Sequence, residues 1–196
     1  MSISDARGDA GKKRPYRLGR RAGAKAETRR RIAEAAVELH RSLGPARTSV
    51  AQIAERAGVQ RHTYYAHFPD ERQLIDACSG LALERDSLPD VEKWAAIAAG
   101  RERLRHGLSE LYSWYARNEE LTSSVLRDAE IHEPTREAVE MRMAPTFRRA
   151  SQLLCEGLPE SLRPLVSVAL DFACWRVLGR THGPDDAARL MSEAIS

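Results

Sequence analysis

Residues 48–68 read TSVAQIAERAGVQRHTYYAHF, and the fold is decided there. Val50, Ile53, Ala54 and Ala57 fall at i, i+3, i+4 and i+7, one apolar face of a helix. Ser49 stands just before that face and Gln52 three residues on, the spacing of a capping box. Gly58 follows the last apolar position, where an ending helix commonly needs a residue tolerant of positive φ. Val59 is placed to plug the core beneath the turn. A second helix is expected from about Gln60 to Phe68, stopped by Pro69, because the residue before a proline is pushed out of α geometry. Tyr64 and Phe68, four apart, point inward, which leaves Arg61, His62 and Tyr65 outward. A short helix, a tight turn containing glycine and a second helix with polar groups near its N-terminus form the helix-turn-helix arrangement.

Working outward, a first helix is expected over about Ala24–Leu43, with Ile32, Ala36, Leu39 and Leu43 inward and Gly44-Pro45 as its end. On the other side, Asp70 is placed to cap a fourth helix carrying Leu74, Ile75, Cys78, Leu81 and Ala82, broken by Ser87-Leu88-Pro89-Asp90.

With these residues in view, the chain resembles the TetR family of bacterial transcriptional repressors. The resemblance is carried by Ile32, Ala35, Ala36, Leu39, Gly44, Thr48-Ser49-Val50, Ile53-Ala54, Ala57-Gly58-Val59, Thr63, Tyr65, His67-Phe68 and Leu74. It covers about 45 residues, roughly a quarter of the chain. It implies a DNA-binding N-terminal domain joined to a larger helical domain that binds small molecules and dimerises. Four positions depart from the pattern. Gln60 replaces a serine and is a poorer N-cap. His62 replaces a small residue, His40 an aromatic under the first helix, and Glu71 a basic phosphate contact that Arg72 is placed to replace.

Charge agrees with a polyanionic partner. Through Arg31 there are eleven lysines and arginines against three acidic residues, or +8; the whole chain is +3, so the remainder is −5. A basic arm leading an acidic body is expected to meet phosphate. Residues 1–23 have few large apolar groups and are expected to be disordered without DNA. No apolar run approaches the ~18–20 residues that span a bilayer, and no signal-peptide core is present. The expected location is the cytoplasm, in association with the nucleoid. Cys78, Cys155 and Cys174 form no C-x-x-C pair, so neither a disulfide framework nor a zinc site is expected.

The second half carries helical signals throughout. Helices are expected over Val91–Ala99, Arg103–Asn118, Leu121–Ile131, Thr135–Glu156 with a kink or boundary at Pro145, Leu165–Leu178, and from Gly183-Pro184 through Ile195. Asp128, Glu130 and His132 are metal-capable types, but only Asp128 and His132 share a helical face and no third ligand joins them, so no metal or other cofactor is expected. No phosphate loop, nucleophile elbow or metalloprotease motif occurs, so no enzyme is expected. A pocket for an apolar or aromatic effector would draw on Tyr112, Trp114, Tyr115, Phe172 and Trp175. Arg176, in an apolar helix and placed in the pocket with Glu130, is expected to be buried against Asp171, Glu130 or Asp128, or else to meet an acidic ligand. Along Leu165–Leu178, Val166, Leu170, Ala173 and Val177 can line an inner face. Val168, Phe172 and Trp175 are left for a partner, beside a last-helix stripe of Ala187, Leu190, Met191 and Ala194.

These readings define an all-α chain with a basic arm at 1–23, a DNA-binding domain at 24–70 and an effector and dimerisation domain at 71–196. The expected function is a homodimeric repressor of a near-palindromic double-stranded operator, released by a small molecule. The competing reading is an architectural DNA-binding protein whose second half only dimerises. Arg61 and His62 are expected to read bases; Ser49, Thr63, Tyr65 and His67 are expected on phosphate, with Gln60 and Arg72 beside them.

Overall fold

The structure, a computed structural model, describes residues 13–195, with side chains from Ala22 onward. Ten α-helices run in order: α1 Lys13–Ser42, α2 Val50–Arg56, α3 Arg61–His67, α4 Glu71–Arg85, α5 Arg101–Ala129, α6 Glu133–Arg142, α7 Ala144–Cys155, α8 Arg163–Leu170, α9 Phe172–Leu178 and α10 Pro184–Ile195. No strand occurs among the described residues. No helix among them is long and apolar enough to cross a membrane.

Two cores form. The first gathers Ile32 and Ala36 of α1, Ile53 and Ala54 of α2, Tyr64 and Phe68 at α3, and Leu74, Ile75 and Cys78 of α4. The second gathers Trp94, Leu104, Leu108, Leu111, Tyr112 and Tyr115 with apolar residues of α7, α8, α9 and α10. Of the residues expected inward in the helix-turn-helix, Ile53, Ala54, Ala57, Tyr64 and Phe68 are buried, and Val50 and Val59 are partly buried against them.

The differences from expectation have local causes. α1 begins at Lys13, well before Ala24, so residues 13–23 are helical where a disordered arm was expected. The rest of the arm, residues 1–12, lies outside the described residues. The two helices expected over 103–131 are one, α5, interrupted only at Asn118, whose φ of −115° and ψ of 16° leave the α region. Pro145 marks a boundary: α6 stops at Arg142, and α7 opens with Pro145 in its first turn, where a missing N–H costs nothing.

The apolar run 165–178 breaks at Asp171 (φ −72°, ψ 133°), whose carboxylate accepts from the Ala173 and Cys174 N–H groups and caps α9. That break resets the helical phase. Val166 and Leu170 are inward and Val168 outward as expected on α8, but on α9 the faces exchange. Phe172 and Trp175, expected to be left over, are buried, while Val177 is 66 % exposed.

Candidate nucleic-acid interface

The helix-turn-helix is built from short-range bonds. Ser49 Oγ accepts from Gln52 N at 3.3 Å, and Gln52 Oε1 accepts from Ser49 N at 2.8 Å, the reciprocal capping box. α2 ends with Gly58 at φ +63°. Val59 N donates to Ala54 O at 2.9 Å, closing the turn. α3 then starts at Arg61 from Gln60, whose side chain makes no capping bond, as its chemistry led us to expect.

α3 is held by what it buries. Tyr64 and Phe68 are within the core, and Tyr65 packs edge-on against Tyr64 at 5.3 Å between centroids while remaining 54 % exposed. Gln60, Arg61 and His62 are exposed beside it. Thr63 is half-buried, its Oγ1 3.3 Å from His62 Nε2. A fixed helix thus presents Gln60, Arg61, His62 and Tyr65 to solvent, each able to bond a base edge or a phosphate.

His67 and Ser49 are less free. The Ser49 side chain is spent on the capping box. His67 is half-buried; burial first, then the charges of Lys25 and Arg29, lower its pKa and favour the neutral ring. Arg29 was not singled out from the sequence, where it was one of many basic residues. Its NH1 donates to His67 O at 2.5 Å, and its guanidinium lies 4.0 Å from the Phe68 ring centroid. It therefore joins α1 to the C-terminal end of the recognition helix, where backbone carbonyls lack helical partners.

Arg72 is turned toward the second domain. Its Nε and NH2 donate to Glu137 of α6 at 2.7 and 3.1 Å, a bidentate pair, and Glu133 lies 3.6 Å away. Arg142 of α6 bonds Asp76 Oδ1 of α4 at 2.5 Å. At the other end of α4, Asp86 accepts from Arg117 Nε at 2.8 Å and Asn118 Nδ2 at 2.8 Å, beside the α5 interruption. α4, which packs in the first core, is therefore tied to α5 and α6 along its length.

A second junction was not legible in the sequence. Asp128, 1 % exposed near the end of α5, accepts from Ala46 N at 2.9 Å and from Arg127 Nε at 2.8 Å. Burial alone would raise its pKa; the Arg127 and Ala46 bonds outweigh burial and hold the carboxyl below its ordinary value. Arg127 NH2 and Ser124 Oγ donate to Leu43 O and Arg41 O at 3.1 Å each, satisfying carbonyls at the end of α1. His132 instead bonds Thr135 Oγ1 at 2.8 Å and faces Glu71 at 3.4 Å.

The residues expected to form one effector pocket are dispersed. Tyr115 and Phe172 line an open cleft of about 420 Å³ with Phe147, Arg148, Ser151 and Asp171. Trp114 lines a separate cavity, and its Nε1 donates to Asp86 O at 3.2 Å. Tyr112 and Trp175 are core residues. Glu130 and Arg176 are exposed, and Arg176 bonds Ser123 Oγ at 2.9 Å rather than a buried acid. Among the described residues the buried arginine is Arg103, which donates to Ile97 O at 2.8 Å and pairs with Glu156.

Fold and surface together define a helix-turn-helix domain carried on a helical second domain. Residues 32–78, about a quarter of the chain, match the family model of bacterial regulatory proteins, tetR family. Over 51 residues it is 47 % identical to the HTH-type transcriptional regulator TtgR of Pseudomonas putida, covering 26 % of this chain and 24 % of that protein. It is 34 % identical over 87 residues to the HTH-type transcriptional regulator SrpR of Pseudomonas putida, 41 % of each chain. The first match thus spans about a quarter of the relative's length. The whole fold is similar to that of a TetR-like transcriptional regulator from Rhodococcus sp. RHA1, at TM-score 0.63 and 19 % identity over 86 % of this chain and 93 % of that one. It is also similar to that of the transcriptional regulator FadR from Bacillus subtilis in complex with stearoyl-CoA, at TM-score 0.58 and 19 % identity over 84 % and 96 %.

Proposed function

We propose that the protein is a homodimeric, ligand-responsive transcriptional repressor. The observation that carries this is the recognition helix, whose apolar side is locked by Tyr64 and Phe68 while Gln60, Arg61, His62 and Tyr65 stand free at its exposed side. A helix is about 10–12 Å across with its side chains, a diameter that a major groove about 12 Å wide admits. Arg61 is the principal base reader, because a guanidinium bonds guanine O6 and N7 together. Tyr65 and Thr63 set register on phosphate. Arg61→Ala is expected to cost about 1–3 kcal/mol and to relax discrimination at one base pair. Tyr65→Phe is expected to weaken all sequences alike. Affinities for an operator and its single-base variants check both; a uniform loss for Arg61→Ala would remove it from base reading.

A dimer supplies the second half-site. α8 and α9 leave Leu165, Val168 and Val177 exposed, and α10 leaves Ala194 exposed beside half-buried Leu190 and Met191. Two copies paired about a two-fold axis would cover these surfaces and set two recognition helices ~34–36 Å apart. The doubly charged variant Val168→Glu/Val177→Glu is expected to sediment as a monomer at micromolar concentration and to lose tight operator binding. A wild-type monomer in the same ultracentrifuge run would contradict the paired model.

The cleft between α5, α7 and α9 is the effector site in this reading. Its volume is within the ~300–1,000 Å³ of small-molecule pockets. Tyr115, Phe147 and Phe172 supply aromatic walls, with Arg148 and Asp171 as charged groups. FadR, similar in fold, is seen with stearoyl-CoA, which supports an effector role for this second domain. An effector that prefers one spacing of the α4 helices releases or retains DNA by linkage. The cleft favours this reading over a purely architectural one.

A further inference from the structure

α3 is a seven-residue helix, too short to hold its shape alone. Its N-terminal end is weakly fixed, because the Gln60 side chain makes no capping bond. Its C-terminal end cannot run on, because Pro69 has no N–H to donate. Phe68 N closes the last turn on Tyr64 O at 2.8 Å, and Phe68 has already left the helical region at φ −136° and ψ 78°. No further turn follows to donate to the His67 carbonyl. Arg29 supplies that donor from another element. Its guanidinium donates to His67 O at 2.5 Å and lies 4.0 Å from the Phe68 ring centroid. A charge-assisted bond and a cation over an aromatic face both act on the same end of α3, where positive charge also suits the helix dipole. Arg29 itself has a firm footing. It stands one turn before Ile32 on α1, and Ile32 and Ala36 are fully buried. At the other end of α1, the Arg127 guanidinium and Ser124 Oγ of α5 hold Leu43 O and Arg41 O at 3.1 Å each. α1 is thus braced along its length, and Arg29 is where it grips α3.

We propose that Arg29 is a positioning residue for sequence recognition, acting through the His67 carbonyl and the Phe68 ring rather than through DNA. A side chain that reads a base edge must be held to about 0.5 Å and 10–20°. Arg61 and Tyr65 stand within about 9 Å of the gripped end along the helix axis, so the tilt fixed there sets where both side chains meet the duplex. Non-specific binding rests on charge and needs no such alignment. Loss of the grip therefore costs discrimination rather than general affinity. The role in recognition rests on the regulator reading above; the grip on α3 does not.

Arg29→Met keeps an unbranched stem against Phe68 and removes the donor and the charge. In the full chain, amide exchange followed by NMR is expected to speed about tenfold or more at Phe68. It is expected to stay unchanged at Ala57, whose N–H closes α2 on Ile53 O. Affinity for a duplex enriched from a random pool is expected to fall about tenfold or more, while affinity for a duplex of shuffled sequence stays within about twofold and keeps its salt dependence. Arg29→Lys, which retains a charge and a donor, is expected to lie between wild type and Arg29→Met in both measures. Unchanged exchange at Phe68 would overturn the grip, and so would a lysine variant no better than methionine. Equal acceleration at Ala57 would make Arg29 a prop of the whole domain and overturn its specific role. An equal loss on both duplexes, with a salt slope flatter by about 0.9, would make it a phosphate contact instead. Faster exchange at Phe68 in a chain that enriches no duplex would uphold the grip on α3 and refute the regulator reading.

Discussion

Replacing Gly44 with alanine is expected to destabilise the protein by about 3 kcal/mol or more. Gly44 has φ +97°, and a Cβ there would run into the Asp128 carboxylate and the Arg127 guanidinium. Two costs add. A side chain in this region of φ costs on the order of 1–3 kcal/mol. The displaced carboxylate then loses the Ala46 N–H and is left buried and under-paired, a further ~1–3 kcal/mol; Arg127 is half-exposed and keeps solvent, which holds the second cost to that range. Asp128→Ala removes only the second cost's partner and is expected to lose about 2 kcal/mol. Urea unfolding of both variants checks the ordering. A Gly44→Ala loss within ~0.5 kcal/mol of wild type, the range of an ordinary surface change, would mean that the junction tolerates displacement.

The second large effect is acid sensitivity centred on His40. Burial, then the charge of His132, lowers its pKa from 6.5 to about 4, with Asp128 opposing. The unfolded chain therefore takes up the proton more readily than the folded one. His40's contribution is fully present above pH 6.5 and is lost as pH falls from 6.5 toward 4, up to about 3 kcal/mol. His40→Phe, which restores an aromatic ring at this position, is expected to be flatter than wild type across that window. Unfolding free energies at pH 7.5 and 4.5 measure it. Parallel pH profiles for the two proteins would show that the ring is not held neutral by its site.

What was legible in the sequence follows from the range of the interactions. The helix-turn-helix rests on contacts within a few residues: the Ser49–Gln52 box, Gly58 at positive φ, and Tyr64 and Phe68 one turn apart. Each leaves a periodic or positional trace. The break at Asp171 leaves little trace, because an apolar run without glycine or proline reads as one helix. A single capping carboxylate resets the phase, and Phe172 and Trp175 go inward as a result. The bonds between helices far apart in sequence leave no such trace, so nothing in spacing pairs Asp128 with Ala46, Arg72 with Glu137, or Arg103 with Glu156. The same is true of the residues proposed for the effector site. Tyr115 and Phe172 meet at one cleft, but Arg176 reads as buried only while its helix is assumed continuous.

Whether α3 reads a paired operator sequence is decided by selecting bound DNA from a random duplex pool with the purified chain and repeating the selection with Arg61→Ala. The expected result is enrichment of a near-palindromic site with half-sites about one turn apart, bound about 10³-fold or more above bulk DNA, and a relaxed base at one position of each half-site in the variant. No enriched sequence from the wild-type chain, or an identical motif from Arg61→Ala, would contradict it.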